Sequence, residues 1–278
     1  MATLKFRDKD GTWKYVPSLK YKNGNNVFEI TNGLKYKDEQ GVWHKVNICG
    51  SKSDDGDYPT MTFNPVFANN TWEQVLNACQ TRNVPDTWSV GDQMTMNIGG
   101  TDYLIDIIGK NHDDYADGSG KAPLTFQLHD CYGTTYRMNG WGTNLGGWTS
   151  SEMRTTHLPA ILVLMPTEVQ SGIKEVNKLT SEGNQSNTIK TTVDKLFLLS
   201  EIEIFGTIKQ SKNGEGFQYA YYESGNSMIK YLNGTENYWW ERSPRGSKDE
   251  DFCCVDAWAG KNTAGSSFSY GVSFAFCF

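Results

Sequence analysis

The sequence has 278 residues, 37% of them hydrophobic and 13% aromatic, which is enough apolar material for one large folded domain and a small one. Its formal net charge of -6 argues against non-specific binding to nucleic acid or to an anionic membrane surface, because both need a basic face. No apolar run approaches the ~18 residues of a membrane span, so we expect no membrane insertion.

The N-terminal sequence and the cysteines bear on where the chain folds. The first residues lack the apolar core of a signal peptide, so we expect synthesis and folding in a cytoplasm. The six cysteines show neither a CxxC pair nor the spacing of a disulfide framework, and we predict mostly buried thiols. They are Cys49, Cys79, Cys131, Cys253, Cys254 and Cys277.

One pattern occurs twice near the N-terminus and predicts a pair of β-hairpins. Leu4–Val16 recurs as Leu34–Val46, and each copy has an alternating segment, a turn with Asp and Gly, and a second segment led by Trp. A lone hairpin is only marginally stable in water, so the copies must pack on each other or on a partner chain. We predict a β-hairpin repeat module over residues 1–50 that resembles the attachment ends of phage tail proteins. An ordinary small β-module without an assembly role remains the alternative.

A polar run over residues 51–58 predicts a linker, which leaves residues 59–278 as one larger domain. Thr71 and Gln74 form a capping box that predicts a helix with one apolar stripe, and Cys79 on that stripe belongs to the core. Two strand-like segments, 93–98 and 102–108, are joined by Gly-Gly and predict a hairpin.

A second capping box, Thr149–Glu152, predicts a helix that ends before Pro159. Pro159 and Pro166 are each placed to begin a further helical turn.

Several residues could serve a metal ion or a catalyst, and a plainer role is favoured for each. The loop His112–Lys121 holds carboxylates and glycines that calcium could use, but it does not match the Asp-rich calcium motif, which favours a solvated loop. His129 and Cys131 do not form a catalytic pair by mere closeness in sequence. His157 is placed to cap the carbonyls of the predicted helix end. We therefore expect no metal and no other cofactor.

Residues 238–278 combine an apolar frame with a polar insert. Trp239 and Trp240 open the segment, and at least one of them should be buried; Phe274 and Phe276 alternate at strand spacing near its end. A rigid frame that carries a polar insert is typical of a binding surface. Trp258 lies among small polar residues without apolar periodicity, which favours contact with a ligand. The candidate ligand-binding residues are Arg245, Ser247, Lys248, Asp249, Asp251, Cys254, Asp256, Ala257, Trp258, Ser266, Ser267 and Tyr270.

Six segments of the chain carry a family pattern. They are WWERSP at 239–244, FCxV at 252–255, GVSFAF at 271–276, LTF at 124–126, GWTSSEMR at 147–154 and DKLFLLS at 194–200. Over roughly residues 57–278 the chain resembles DUF6273, a domain family common in gut bacteria and their phages. The resemblance implies an α+β fold of the C-type-lectin-like kind, in the formylglycine-generating-enzyme branch that variable proteins of diversity-generating retroelements also use.

The resemblance implies a ligand-binding protein and not an enzyme. It would be a diversified variable protein or a phage tail adhesin that recognises a cell-surface protein or glycan, at the virion tail or the bacterial cell exterior after synthesis in the bacterial cytoplasm. Virion tail proteins and a second copy of the chain are further candidate partners, and nucleic acid is not expected. The alternative is a cysteine-dependent or glycan-active enzyme on the same fold. Vicinal Cys253 and Cys254 project from opposite sides of a strand, which favours structural thiols.

The genetic code gives a further expectation for the insert. In the retroelement systems that the domain resembles, adenines of Asn-type codons are randomised, and most of the candidate residues can arise in that way. Lys248 and Trp258 cannot, and would need other starting codons. We expect the fitting positions to form one exposed patch. Its buried support would be Trp239, Phe252, Val255 and Phe276.

Overall fold

The computed structural model describes residues 62–278 and, before them, six short strands between Lys5 and Lys45, for which only the backbone is described. The chain divides into two compact units, Met1–Thr62 and Phe63–Phe278. The predicted linker over residues 51–58 and Cys49 lie outside the described residues.

The six N-terminal strands pair as three antiparallel hairpins. They are β1 (Lys5–Arg7) with β2 (Trp13–Tyr15), β3 (Tyr21–Lys22) with β4 (Phe28–Glu29), and β5 (Lys35–Lys37) with β6 (Trp43–Lys45). Lys5 lies opposite Tyr15 in the first hairpin, and Lys35 lies opposite Lys45 in the third. The two sequence repeats therefore adopt the same strand register, and the β3-β4 hairpin comes between them in the sequence.

The second unit is a mixed α+β domain with antiparallel sheets and short helices. Its strands are β7 (Gln93–Ile98), β8 (Thr101–Lys110), β9 (Leu124–Leu128), β10 (Val176–Ser181), β11 (Ile189–Asp194), β12 (Leu196–Phe197), β13 (Lys230–Leu232), β14 (Thr235–Asn237), β15 (Trp239–Pro244), β16 (Asp251–Val255), β17 (Lys261–Gly265) and β18 (Ala275–Cys277). Its α-helices are α1 (Trp72–Gln80), α2 (Gly147–Ser150), α3 (Leu158–Leu162), α4 (Thr167–Gly172), α5 (Glu201–Phe205) and α6 (Ala220–Glu223), with a 3-10 turn at Phe67–Asn69 and a π-helical turn at Met153–His157.

Five of these strands form the main sheet, in the order β12-β18-β9-β8-β7. The hairpin predicted over residues 93–108 is confirmed as β7 and β8, with Ile98 opposite Thr101 across the glycine turn. The C-terminal strand β18 lies between β9 and β12, so that Phe276 pairs with Phe126 and Leu196. A separate three-stranded sheet, β15-β16-β17, carries the polar insert.

The helix predicted from the first capping box is confirmed as α1. The Thr71 hydroxyl accepts a hydrogen bond from the Gln74 amide at 3.2 Å, and the Gln74 side chain accepts one from the Thr71 amide at 2.8 Å. Cys79 is buried on its inner face, as predicted. No helix among the described residues is long and apolar enough to cross a membrane.

The helix predicted from the second capping box is wrong in both its start and its end. Helix α2 begins at Gly147, which approaches β10 so closely that a Cβ there would lie 2.1 Å from the Ser181 carbonyl oxygen. Thr149 therefore lies inside the helix, and the Thr149 hydroxyl has no hydrogen-bond partner within residues 62–278. The helical backbone also continues through Pro159, because that residue falls in the first turn of α3, where its missing amide proton is not needed. The expectation that Pro159 and Pro166 precede further helical turns is confirmed by α3 and α4.

An aromatic cluster joins the main sheet to α1. Phe126 stacks on Phe276 with ring centroids 5.2 Å apart, and Trp72 meets Phe126 edge-on at 5.6 Å. Trp239 and Trp240 are also fully buried, as is Phe274. The predicted apolar frame of the C-terminal segment is therefore part of the domain core, and Trp239 and Trp240 belong to β15 of the small sheet.

Candidate ligand-binding surface

Two loops of the second unit are fastened together through Asn144. The loop 139–147 leads into α2 and includes its first residue, and the loop 245–250 joins β15 to β16. The fully buried side chain of Asn144 donates to the carbonyl oxygens of Lys248 at 2.8 Å and of Asp251 at 2.7 Å, and its backbone amide donates to the carbonyl oxygen of Asp249 at 2.7 Å. These bonds fix the backbone of the 245–250 loop, while Ser247, Lys248 and Asp249 keep their side chains exposed.

The carboxylate of Asp251 pairs with two cations of the 245–250 loop. Its buried carboxylate accepts hydrogen bonds from Arg245 Nη1 and from Lys248 Nζ, each at 2.9 Å. Burial works to raise the pKa of Asp251, and the hydrogen bonds from Lys248 and Arg245 outweigh it and lower the pKa. Asp251 therefore positions two partly exposed cations, and its own side chain is not available to a ligand.

Ser266 and Ser267 follow β17 and border the same loops. The buried Ser266 hydroxyl donates to the Trp141 carbonyl oxygen at 3.0 Å, and the Ser266 carbonyl oxygen accepts from the amides of Met138 and Asn139. Ser267 is exposed. Ser266 is thus an anchor for the 139–147 loop, and only Ser267 presents its side chain to solvent.

The turn between β16 and β17 holds three further candidates at the other end of the small sheet. Asp256 accepts hydrogen bonds from the amides of Trp258 at 2.9 Å and Gly260 at 2.7 Å, and this leaves Trp258 75% exposed, with Ala257 beside it half-buried. In the strand register Val255 pairs with Lys261, whereas Asp251 pairs with Gly265. The Trp258 turn and the 245–250 loop therefore lie at opposite ends of β16.

The last two candidates both adjoin Trp240 of β15. Cys254 is fully buried between Trp240 and Asn262, so it cannot contact a ligand. Tyr270 is half-buried and packs on Trp240 with ring centroids 4.9 Å apart. The twelve candidate residues therefore do not share one surface, and the expectation of one exposed patch is wrong. Asp251, Cys254 and Ser266 lie in the interior, Tyr270 packs on Trp240, and the others divide between two loop groups. The predicted supporting residues are buried, namely Trp239, Phe252, Val255 and Phe276.

Three exposed apolar side chains adjoin the fastened loops and were not among the candidates. Trp141 is 83% exposed, Leu145 is 61% exposed and Phe268 is 59% exposed. Single exposed apolar residues are ordinary, but a cluster of them on loops with fixed backbones marks an interaction surface. Trp141 carries the signal that singled out Trp258, a tryptophan among glycines and small polar residues without apolar periodicity. We call the exposed side chains of residues 139–147, 245–250 and 266–268 the loop surface.

The cysteines that an enzyme on this fold would use are buried. Burial raises the pKa of Cys253, Cys254 and Cys277, and the carboxylates nearest to them raise it further. A thiol held neutral in this way is a poor nucleophile, because the thiolate is the reactive form. The prediction of buried thiols is confirmed for these three residues, as it is for Cys79 and Cys131.

The 112–121 loop is not simply solvated, because Asp113 turns into the core. Its carboxylate accepts from Lys178 Nζ at 2.7 Å and from the hydroxyls of Thr125 at 2.6 Å and Tyr219 at 2.9 Å. Burial works to raise the pKa of Asp113, but Lys178, His112 and the hydrogen bond from Thr125 together outweigh it and lower the pKa to about 2. Within residues 62–278, no group of three His, Cys, Asp or Glu side chains is placed to hold a metal ion.

His129 and His157 each contact other side chains of the domain. His129 Nδ1 lies 2.9 Å from Asp106 Oδ2, and this contact raises the pKa of His129. The ring of His157 packs on Tyr136 at 4.6 Å, and His157 Nε2 is buried without a hydrogen-bond partner among the residues that the structure describes. Among the residues that the structure describes, neither histidine is hydrogen-bonded to a cysteine as a nucleophile–base pair requires.

The second unit is thus a mixed α+β domain whose buried aromatic frame supports a polar and aromatic loop surface. The model of a domain of unknown function, DUF6273, matches residues 128–278. Because this match covers more than half of the chain, the chain belongs to the DUF6273 family. The matched region contains the β15-β16-β17 sheet and both fastened loops, whereas α1, β7 and β8 precede it. Comparisons with curated proteins and with solved structures find no match.

Proposed function

We propose that this protein is a recognition protein that binds a cell-surface protein or glycan through the loop surface. The observation that supports it most strongly is the fastening of the 139–147 loop to the 245–250 loop by Asn144. A backbone held in this way can carry varied side chains without rearranging, which lowers the entropic cost of binding. Tryptophan and arginine side chains, such as those of Trp141 and Arg245, often contribute most of the binding energy of an interface. Charged side chains such as that of Lys248 often steer association.

A binding role accounts for the chemistry of the site better than a cysteine-dependent reaction does. The thiols of Cys253, Cys254 and Cys277 are buried and neutral, so they lack the exposure and low pKa that a nucleophile needs. Asp113 and Lys178 form a buried pair whose hydrogen bonds are made within the protein. Such a network stabilises the fold and does not require a substrate.

We also propose that the second unit has a C-type-lectin-like fold and that its loop surface is diversified or serves as a phage tail adhesin. The support for the fold is a C-terminal strand in the main sheet together with a small second sheet that carries long loops. The support for diversification is that Ser247, Asp249 and Ser267 are exposed and can arise from randomised Asn-type codons. In this proposal the protein acts at the virion tail or bacterial exterior. An adenine-rich near-copy of the coding sequence beside a reverse-transcriptase gene is the genomic observation that checks it.

The proposal is tested by labelling the full chain and staining a panel of gut bacterial cells, read by flow cytometry. A double variant, Ser247→Arg with Ser267→Arg, places two bulky side chains on the loop surface. The matched control is Ser119→Arg, an exposed serine on the 112–121 loop. We expect the double variant to reduce staining at least tenfold and the control to leave it unchanged. Absence of staining over the whole panel, or equal staining by all three proteins, contradicts the proposal.

A further inference from the structure

A groove of about 490 Å³ runs beside Trp141, on the face of the 139–147 loop that meets α2 and the π-helical turn. It is lined by Arg137, Asn139, Gly140, Trp141, Ser150, Glu152 and Thr155. We infer that this groove, which we call the Trp141 groove, binds a neutral saccharide. The inference rests on the proposed recognition function and narrows its ligand to one chemical class at one place.

The indole of Trp141 forms an exposed wall on a fixed backbone. Its carbonyl oxygen accepts hydrogen bonds from the Ser266 hydroxyl at 3.0 Å and from the Thr143 amide at 2.6 Å, while 83% of the residue stays exposed. With the backbone fixed, only the two side-chain torsions of the tryptophan remain to be ordered, so the ring offers a flat apolar face at low conformational cost. The C–H faces of sugar rings are flat and apolar in the same manner, so the indole is suited to stack on one.

The floor of the groove is an ion pair with unused hydrogen-bonding capacity. Arg137 Nε donates to Glu152 Oε2 at 2.9 Å, and Arg137 Nη2 donates to Glu152 Oε1 at 3.0 Å. A guanidinium has five N–H donors, so this pair leaves three of them free, and the carboxylate keeps further lone pairs. The free N–H donors of Arg137 therefore lie beside the acceptor oxygens of Glu152. Two neighbouring hydroxyl groups of a sugar can bind both, because each hydroxyl donates one hydrogen bond and accepts others.

The surroundings hold this pair in place and leave it accessible. The Asn139 side chain donates to the Thr143 carbonyl oxygen at 2.8 Å and accepts from the Glu152 amide at 3.0 Å, which ties the loop to the element that carries the carboxylate. A Cβ at Gly140 would lie 3.1 Å from Arg137 Nη2 and 3.2 Å from Glu152 Oε2. A side chain at this position would crowd the ion pair, and glycine leaves it open.

The balance of charge and polarity favours a neutral saccharide over other ligands. The cation of Arg137 is matched by the anion of Glu152, so the groove offers no net charge to an acidic sugar or a phosphate. A protein ligand would need an apolar pocket for an anchor residue, whereas only the Trp141 wall is apolar here and the floor is polar. The size of the groove falls within the range of roughly 300–1,000 Å³ that small-molecule sites show.

The test is affinity electrophoresis of the full chain in gels cast with neutral polysaccharides, namely a glucan, a mannan and a galactan. Three single variants are compared with the unchanged protein: Trp141→Ala, Glu152→Gln, and the control Phe217→Ala. Phe217 is an exposed aromatic residue that lies outside the groove, beside His112. We expect at least one polysaccharide to retard the protein, Trp141→Ala to weaken this binding at least tenfold, Glu152→Gln to weaken it, and Phe217→Ala to leave it unchanged.

Retardation in none of the three gels, or equal retardation of Trp141→Ala and the unchanged protein, overturns the inference. A thermal unfolding curve for Trp141→Ala that matches the unchanged protein shows that the loss of binding is local, as the exposure of this side chain predicts. Soluble oligosaccharides of the same sugars distinguish a free sugar from a surface polysaccharide, because they compete in the gel only if short chains suffice.

The cell-staining experiment separates failure of this inference from failure of the recognition function. If Ser247→Arg with Ser267→Arg abolishes staining but Trp141→Ala does not, recognition stands and the saccharide groove fails. Staining that survives periodate oxidation of the cells and is lost on protease treatment likewise overturns the saccharide in favour of a protein ligand. If no cells are stained and no polysaccharide retards the protein, both fail.

Discussion

The side-chain amide of Asn144 donates a hydrogen bond to the carbonyl oxygen of Asp251 at 2.7 Å, although the two residues lie on different elements far apart in the sequence. The same amide donates to the carbonyl oxygen of Lys248 at 2.8 Å, so one buried side chain binds the 245–250 loop both within the loop and just after it. The shape of the loop surface therefore depends on a residue that is itself not exposed.

Replacement of this residue gives the first prediction. Asn144→Ala removes the two hydrogen bonds that the side chain donates to the carbonyl oxygens of Lys248 and Asp251, and the one that it accepts from the Asn184 amide. Each such hydrogen bond contributes about 0.5–1.5 kcal/mol to stability. We expect the free energy of unfolding, measured by urea denaturation, to fall by about 3 kcal/mol. Amide hydrogen exchange over residues 245–250 should also accelerate.

The neighbouring hydroxyl is a matched control for this substitution. Thr143 lies in the same loop, and its hydroxyl donates to the Asp249 carbonyl oxygen at 3.3 Å and accepts from the Leu145 amide at 3.1 Å, both in exposed surroundings. Thr143→Ala should cost less than about 1 kcal/mol, because water can replace both lost partners. Equal losses for the two variants would contradict the role given to Asn144.

Two buried carboxyl groups give a prediction about pH. Burial raises the pKa of Glu215 to about 7, and burial together with Glu201 and Glu215 raises the pKa of Glu241 well above its usual value. Neither carboxylate oxygen of Glu241 has a hydrogen-bond partner among the described residues. The folded protein therefore keeps these protons at pH values where the unfolded chain has released them. Since the unfolded state then binds fewer protons, the free energy of unfolding falls as the pH rises from about 4.5.

Glu241→Gln should remove the part of this pH dependence of the free energy of unfolding that is due to Glu241. At pH 5 the variant and the unchanged protein should unfold at similar urea concentrations, and at pH 8 the variant should be the more stable. One pKa unit corresponds to about 1.4 kcal/mol, so Glu215 alone accounts for a loss of about 3 kcal/mol through pH 7. The raised pKa of His129 adds a further loss of stability as the pH rises, and the lowered pKa values of His112 and His157 oppose it; these contributions are common to both proteins. The exposed Glu236→Gln is the control, and an unchanged slope in Glu241→Gln would refute the prediction.

The fully buried Phe274 tests the role of the C-terminal segment in the core. Phe274→Ala removes a large, fully buried side chain and leaves a cavity. The backbone at residue 274 is held by the hydrogen bond from the Leu128 amide to the Phe274 carbonyl oxygen, so it cannot move freely to fill that cavity. We expect a loss of about 3–5 kcal/mol in the free energy of unfolding. The exposed Phe268→Ala should cost far less. Near-unchanged thermal unfolding of Phe274→Ala would mean that this segment is not part of the core.

The division into two units predicts that residues 57–278 fold alone. The aromatic core of the second unit is built from residues after Thr62, including Phe67, Trp72 and Phe126. The fragment should be soluble and monodisperse and should unfold in one cooperative transition by circular dichroism. An insoluble or molten product would show that this boundary is misplaced.

Local sequence signals predicted the elements that local physics determines. The capping box at Thr71 and Gln74 needs only residues three apart, and the hairpin of β7 and β8 needs only its glycine turn and alternation. The start of the helix predicted from Thr149–Glu152 was wrong because the chain approaches Ser181, a residue on a different strand, at Gly147, where α2 begins. A capping motif cannot reveal such a contact.

The loop surface was predictable only in part for the same reason. Ser266 and Ser267 have identical side chains, yet one is a buried anchor for Trp141 and the other faces solvent. Asp249 and Asp251 differ in the same way, because the carboxylate of Asp251 is enclosed by Arg245 and Lys248. Composition distinguishes a polar insert from an apolar frame, but which polar residues are anchors is decided by tertiary contacts.

The place of β18 in the main sheet has a consequence for the order of folding. Phe276 must pair with both Phe126 and Leu196, so the sheet cannot close until Ala275–Cys277 have left the ribosome. Until then β9 exposes an unpaired edge beside the aromatic side chains that Phe276 will cover. Pairing over such long sequence separations is slow to form, so the nascent domain passes through a period in which a chaperone would protect it from aggregation.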